Sequence, residues 1–153
     1  MGLKVFVAVS ALLLTAGAAE AQAVDKAMGG PGNAAHGKSL FAQRCSICHQ
    51  PQKGGKNGVG PMLYGAYGAG AAKRPTGFVY SAKLKASTIV WTPVTLNQWI
   101  QKPASLVPGV KMVLPPVTQA QDRADIIAFL ATQSDIKLAP APPAPAKPAP
   151  KKK

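Results

Sequence analysis

The sequence predicts a single all-α domain in which helices are joined by long, irregular loops. Three segments repeat apolar residues at intervals of three and four, which places them on one face of an α-helix. The long stretch between the first two of these segments, from Gln50 to Gly77, is rich in glycine and proline and shows no alternation typical of β-strands. A loop of that length inside a small domain is expected to wrap around a large buried ligand.

The first 23 residues have the pattern of a cleaved secretory signal peptide. Lys4 supplies a positive start, an apolar stretch runs from Val5 to Ala19, and small-residue cleavage sites extend to Ala23. The apolar stretch is shorter than the roughly 20 residues that a membrane span needs. We therefore expect secretion to a bacterial periplasm, with an uncleaved anchor as the alternative. Residues 24–32 are expected to form a flexible N-terminal segment.

The last 15 residues, 139–153, consist of alanine, proline and lysine. Such a segment cannot bury a core and favours extended polyproline II structure, so we expect a disordered tail. One domain remains, at residues 33–138. A body of this size often needs a cross-link or a cofactor to be stable.

The chain is strongly basic, with 18 lysines and arginines against 5 acidic residues and a net charge of +13. Nucleic acid is the first partner that such a charge suggests. Secretion and the lack of a dense basic stripe interleaved with aromatics argue against it. We expect acidic protein partners, weak association of the basic tail with anionic membrane, and a monomer.

The first predicted helix begins at Asn33, a residue type that caps helix N-termini, and runs through Leu40 and Phe41 toward Cys45. The second begins at Thr92-Pro93, where threonine caps the helix and proline suits its first position. It ends before a second proline. Its apolar face consists of Leu96, Trp99 and Ile100.

The third predicted helix begins at Thr118, because Thr118 and Gln121 have the spacing of a capping box. An apolar stripe follows within the next turns, formed by Ile126, Ile127, Phe129 and Leu130. The three helices together provide the apolar faces of the predicted core.

The two cysteines of the chain lie in the run Cys45-Ser46-Ile47-Cys48-His49. This spacing is the signature of c-type haem attachment, in which two thiols add to the two vinyl groups of one haem. The histidine that follows can then bind the iron. A thioredoxin-like pair would need a βαβ context, and a zinc site would need about four ligands where only His36 is spare. A disulfide across this spacing would be strained.

The haem iron needs a sixth ligand or stays open for chemistry. The candidates are Met28, Met62, Met112 and His36. Met112 lies in a proline- and glycine-shaped loop before the third helix, whereas Met62 follows His49 so closely that we expect it in the core. Methionine ligation would raise the reduction potential and close the iron to small molecules.

The ordered set of motifs from Gly37 to Leu130 resembles the class I cytochromes c of the mitochondrial and short bacterial soluble type. The resemblance implies a class I cytochrome c fold, with the N- and C-terminal helices packed together around one covalently bound haem. It implies thioethers at Cys45 and Cys48, and axial ligation of the iron by His49 and Met112. It also implies haem-environment roles for Pro61, Tyr80, Trp91 and Trp99, with the Pro61 carbonyl accepting a hydrogen bond from the ligating histidine.

The chain departs from this family at several places. Ala69 stands where relatives often have an arginine near a buried haem propionate, and Lys73 or Arg74 are the candidate substitutes. Trp99 replaces a tyrosine near the methionine sulfur, and an indole can only donate a hydrogen bond. The lysine ring that surrounds the haem edge in mitochondrial relatives is thin. Its matching residues are Arg44, Lys56 and Lys111, which we expect to dock partners.

These observations predict a carrier of single electrons between redox protein partners, as in a respiratory chain. No constellation of catalytic acid, base and nucleophile is present, so we do not expect an enzyme. Two alternatives stay open: a haem subunit docked to a periplasmic dehydrogenase or oxidase, and a peroxidase-like haem enzyme, which would need an open iron site.

Overall fold

The computed structural model of the protein describes residues 29–136 and 138. The expected signal peptide, the tail and Met28 lie outside these residues. Within them the chain forms helices α1 (Ala34–Arg44), α2 (Ala82–Ala86), α3 (Pro93–Gln101), α4 (Pro103–Leu106) and α5 (Ala120–Thr132). The described part contains no β-strand, only an isolated bridge between Gly70 and Val90. The all-α prediction is confirmed.

Helices α1 and α3 begin where the sequence predicts. The Asn33 side chain accepts hydrogen bonds from the backbone N–H groups of Ala35 and His36, over 3.0 and 3.1 Å. Thr92 and Thr95 form a reciprocal capping box at the start of α3. Both helices therefore begin at residues whose side chains satisfy otherwise unpaired N–H groups.

The predicted capping box at the start of α5 is wrong. The residue before this helix is Gln119, which makes no side-chain capping bond. The amide of Gln121 instead donates to the Pro31 carbonyl over 3.1 Å and to the carboxylate of Asp125 over 2.8 Å. These partners on α5 itself and on the segment before α1 outcompete the local cap.

Helices α1 and α5 cross in close contact. A Cβ atom on Gly37 would overlap the backbone carbonyl of Asp125, so only glycine allows this approach. One turn further along α1, the rings of Phe41 and Phe129 pack with their centroids 5.4 Å apart. The main core surrounds this crossing and consists of Leu40, Phe41, Leu96, Ile100, Val117, Ile126, Ile127, Phe129 and Leu130.

Asp125, a carboxylate on α5 that is 2% exposed, lies beside the start of α1. Its carboxylate accepts hydrogen bonds from the backbone N–H of Asn33 over 2.7 Å and from the amide of Gln121. Nδ1 of His36 lies 2.6 Å from its other oxygen. These bonds join the start of α1 to the middle of α5.

The packed part of the chain begins before Asn33, the boundary that the sequence suggested. A Cβ atom on Gly32 would overlap the backbone carbonyl of Ala124, so residues 29–32 lie directly against α5. No helix of the described residues is both long enough and apolar enough to cross a membrane.

Candidate functional site

The five-residue cysteine motif forms a compact turn directly after α1. The backbone N–H of Cys45 donates to the Phe41 carbonyl over 2.8 Å, which ends the helix. The N–H groups of Cys48 and His49 then both donate to the Cys45 carbonyl, over 3.1 and 3.0 Å. Both cysteine side chains are half-buried, and no disulfide joins them. The helix end thus fixes the two thiols and the imidazole within one turn of backbone.

The Cys45 thiol is poorly suited to disulfide exchange. Burial raises its pKa to about 11, and the nearby Arg44 charge offsets that rise only in part. Catalytic cysteine pairs have lowered pKa values, because the thiolate is the attacking species. The structure therefore argues against a redox-active thiol pair in this motif.

His49 is held in the state that a metal ligand requires. Its Nδ1 lies 2.7 Å from the Pro61 carbonyl oxygen, which fixes a hydrogen on Nδ1 and leaves the Nε2 lone pair free. Burial lowers the pKa of His49, although the bond to Pro61 acts in the opposite direction. A neutral, oriented imidazole can bind iron through Nε2.

Gly60 contributes to this site in a way that the sequence analysis missed. A Cβ atom there would overlap the imidazole ring of His49, so the Gly60 backbone lies directly against the ring. The Gly60 N–H also donates to the Cys48 carbonyl over 2.9 Å. A glycine directly before the proline that contacts the histidine was the available signal.

Met112 lies in the loop between α4 and α5, with its side chain half-buried. Its sulfur accepts a hydrogen bond from the indole Nε1 of Trp99 over 3.2 Å. The Trp99 ring in turn packs on Trp91, with the ring centroids 4.9 Å apart. The aromatic pair therefore holds the Met112 sulfur in place from α3, which carries Trp99. Around it lies a second apolar cluster that contains Ala71, Leu84, Trp99 and Val107 and contacts Tyr80, Ile89, Trp91, Val110 and Met112.

Met62, which we expected in the core, is half-buried and belongs to neither buried apolar cluster. Its sulfur lies 3.3 Å from a guanidinium nitrogen of Arg74, and its carbonyl accepts a second bond from Arg74 over 2.7 Å. The guanidinium also donates to the Tyr64 carbonyl. The Met62 sulfur is thus engaged by Arg74, while the Met112 sulfur is engaged by Trp99.

Arg74 and Lys73, the candidate substitutes for the family's arginine, point to different partners. The Lys73 ammonium is exposed and donates to the Lys85 carbonyl over 2.7 Å. The Arg74 side chain is half-buried, and burial lowers its pKa, while its interaction with Tyr80 acts in the opposite direction. Arg74 is therefore the residue of the two that lies beside Tyr80.

Tyr80 packs edge-on against Phe78, with ring centroids 5.0 Å apart, and its hydroxyl lies 3.5 Å from that of Thr76.

The three predicted docking residues are all exposed, and no hydrogen bond or ion pair joins them to one another. They are Arg44, Lys56 and Lys111. The structure brings together the cysteine motif with Pro61, and Met112 with Trp99 and Trp91.

The residues present fit an iron ion that is bound within a prosthetic group. The described residues contain no group of three or more histidine, cysteine and acidic side chains that could hold a metal by themselves. They do offer a single oriented imidazole, two free thiols beside it, and a thioether sulfur in an aromatic environment. That donor set matches a covalently attached haem with two axial protein ligands.

Comparison with known proteins finds relatives that match about two thirds of the chain. The family model for cytochrome c matches residues 34–134. The chain is 45% identical to cytochrome c2 of Rhodomicrobium vannielii over 102 residues, 67% of this chain and 80% of that protein. It is 42% identical to cytochrome c of Euglena viridis over 104 residues, 68% of this chain and 100% of that protein.

A solved structure agrees with these sequence matches. The structure of cytochrome cH from Methylobacterium extorquens is similar to this fold with a TM-score of 0.61 at 42% identity. The match covers 66% of this chain and 99% of that one.

Proposed function

Because this chain belongs to the cytochrome c family, as a class I monohaem member with a covalently bound haem c that carries electrons, we propose that it shuttles single electrons between redox proteins of a bacterial periplasm. The observation that carries the proposal is the pair of bonds that orient two potential iron ligands. Pro61 fixes the tautomer of His49, and Trp99 fixes the sulfur of Met112.

Each residue of the site has a distinct role in this proposal. Cys45 and Cys48 would form the thioethers, and His49 and Met112 would bind the iron. When bound, the haem supplies an iron that alternates between Fe(III) and Fe(II). The bonds to Pro61 and from Trp99 orient both side chains in advance, so little rearrangement of the protein would accompany electron transfer. The half-buried guanidinium of Arg74, which interacts with Tyr80, could balance the negative charge of a propionate.

A carrier fits the site better than an enzyme does. A thioether ligand at the sixth position closes the iron to small molecules. The Met112 sulfur is already held by the indole of Trp99, and the surrounding side chains are apolar. A peroxidase-like activity would need this ligand to leave. Docking to a dehydrogenase or oxidase as a permanent subunit is the second candidate, favoured by the lysine-rich end of the chain.

The first experiment tests attachment and ligation in the mature protein. We expect a mass equal to the chain cleaved after Ala23 plus one haem, and a haem that stays with the chain after acid-acetone extraction, because thioethers do not dissociate. The oxidised protein should show a six-coordinate, low-spin spectrum. A mass without haem would contradict the proposal, and a high-spin iron would favour the enzyme alternative.

A second experiment tests partner recognition by charge. We expect the rate of electron transfer to a cytochrome c-oxidising haem–copper oxidase to fall steeply as salt rises through about 0.1 M, where the screening length is roughly 10 Å. Lys111→Glu should lower the association rate more than deletion of residues 147–153. Lys38→Glu, an exposed charge in the middle of α1, is the matched control. A larger effect of the deletion would favour the docked-subunit alternative.

A further inference from the structure

Asn57 is an exposed residue outside the site described so far, yet both ends of its side-chain amide are bonded. Its Nδ2 donates to the Thr76 carbonyl over 2.7 Å, and its Oδ1 accepts from the backbone N–H of Met62 over 2.9 Å. An amide nitrogen can only donate, and an amide oxygen can only accept. The two partners therefore specify the same orientation of the amide, and reversing the group would break both bonds.

The N–H group that donates to Asn57 belongs to the same peptide group as the carbonyl that orients His49. The Met62 nitrogen and the Pro61 carbonyl form one planar amide, in which electrons are delocalised from nitrogen to oxygen. Its oxygen lies 2.7 Å from Nδ1 of His49. This peptide group is therefore bonded at both ends, to the imidazole on one side and to Asn57 on the other.

The next peptide group along the chain is also bonded at both ends. The Met62 carbonyl accepts a bond from Arg74 over 2.7 Å. The N–H of Leu63 donates to the Gln50 carbonyl over 2.8 Å. The backbone on both sides of Met62 is therefore fixed, and the carbonyl before it has little freedom to turn.

The bonds from Thr76 to His49 form a series that passes through two amide groups. Hydrogen bonds in series polarise one another, and each is strengthened by about 10–30%. The bond to Asn57 draws the Met62 proton outward and leaves more negative charge on the Pro61 oxygen. That oxygen then attracts the Nδ1 proton of His49 more strongly and makes Nε2 a better electron donor. A better donor to iron stabilises Fe(III) relative to Fe(II) and lowers the reduction potential.

We propose that Asn57 is a positioning residue for the iron ligand His49, which it orients and makes more electron-donating through the Pro61–Met62 peptide group. The proposal rests on the electron-carrier function and on ligation by His49. The side chain of Asn57 bonds to Thr76 and to Met62, so its influence reaches the imidazole through the backbone. The alternative is a purely structural link between two loops.

The two accounts predict opposite signs for the reduction potential of Asn57→Leu, which removes both bonds at nearly constant side-chain size. Loss of the polarising bond makes His49 a weaker donor and should raise the potential. We expect the equilibrium constant for reduction to rise about twofold, or roughly 18 mV at about 59 mV per tenfold for a one-electron couple. Loosening of the loops alone would admit water, which stabilises the more highly charged oxidised iron and would lower the potential.

The test uses the haem-loaded protein, with voltammetry for the potential and proton NMR of the reduced protein for the Nδ1 proton of His49. Asn57→Asp is the rescue variant, because it keeps an acceptor for the Met62 N–H and loses the donor to Thr76. It should not raise the potential, and its Nδ1 proton should resonate at least as far downfield as in the wild type. In Asn57→Leu that resonance should move upfield.

Gln50→Leu is the matched control. The Gln50 side chain accepts a bond from the backbone N–H of Lys56 over 2.8 Å, so this variant loses a side-chain bond in the same loop. It leaves the Pro61–Met62 peptide group and its two partners in place. Both the potential and the Nδ1 resonance should therefore match the wild type.

A potential that falls or stays unchanged in Asn57→Leu would overturn the proposal, and so would an equal rise in Gln50→Leu or Asn57→Asp. Asn57→Ala removes the same two bonds with a smaller side chain, and its potential must also rise. Failure of the carrier function is distinguishable, because the wild type would then lack covalent haem or a reversible one-electron wave. If His49 did not bind iron, its ring protons would lack the ring-current shift of a haem ligand in every variant.

Discussion

The indole nitrogen of Trp99 donates a hydrogen bond to the sulfur of Met112 across 3.2 Å. Trp99 is 7% exposed and packs against Trp91 on its other side, so the donor has little freedom to turn away. A hydrogen bond withdraws electron density from the sulfur and makes it a weaker donor to oxidised iron.

We therefore expect Trp99→Phe to lower the reduction potential, by at most about 40 mV if the whole of a ~1 kcal/mol hydrogen bond is lost in one oxidation state. Trp99→Tyr offers a hydroxyl donor and should lie closer to the wild type. Voltammetry of the three proteins measures this. A potential that rises in the phenylalanine variant would show that the indole acts through packing and not through the sulfur.

Replacing each methionine in turn should show which of them binds the iron. Met112→Ala is expected to abolish the weak red-region band of sulfur-to-iron charge transfer in the oxidised protein and to give an open or solvent-bound iron. Met62→Ala should keep the band, because that sulfur is engaged by Arg74. Met28→Ala should also keep it. Loss of the band in Met62→Ala, with the band intact in Met112→Ala, would reverse our assignment of the sixth ligand.

Gly60→Ala should displace the side chain of His49, the proposed iron ligand, without changing that residue itself. The added Cβ would overlap the His49 ring, which must tilt or move away from the Pro61 carbonyl. We expect a lower yield of haem-loaded protein and a partly high-spin spectrum. Gly54→Ala is the control, since its Cβ would meet no atom within 4 Å and adds only the strain of a φ of +75°, about 1–2 kcal/mol. Equal spectra of the two variants would contradict this account.

Asp125 should make the fold sensitive to acid. Burial raises the pKa of this carboxyl, but the hydrogen bonds from Asn33, His36 and Gln121 outweigh burial and hold the pKa below its usual value. A lowered pKa means that the carboxylate stabilises the fold above its usual pKa, and that this contribution is lost as pH falls through the lowered value.

We expect Asp125→Asn to lower the free energy of unfolding by about 2–4 kcal/mol at pH 7, because three hydrogen-bond donors lose a charged acceptor. The difference from the wild type should shrink at a second, acidic pH, where protonation of the wild-type carboxyl removes the same charge. Denaturant unfolding at both pH values measures it. Asp122→Asn, on the same helix, is the control. A difference that stays constant with pH would show that charge at Asp125 has no part in the effect.

The sequence predicted those features that depend on neighbouring residues. The caps at Asn33 and Thr92 bond to N–H groups within three residues, and the cysteine turn closes on itself. The start of α5 was mispredicted, because Gln121 binds the Pro31 carbonyl 90 residues away. The hydrogen bonds of Arg74 could not be predicted either, because its acceptors lie in a loop 10 to 12 residues earlier that has no regular structure.

The bond from Asn33 to Asp125 spans 92 residues, nearly the whole described domain. Helix α1 therefore cannot gain its main packing partner until almost all of the domain has been synthesised. Before that moment the cysteine turn at the end of α1 has no α5 to pack against. Closure onto α5 buries Cys45 and raises its pKa to about 11. The order of synthesis along the chain thus leaves a period in which Cys45 is still accessible, and packing against the core brings that period to an end.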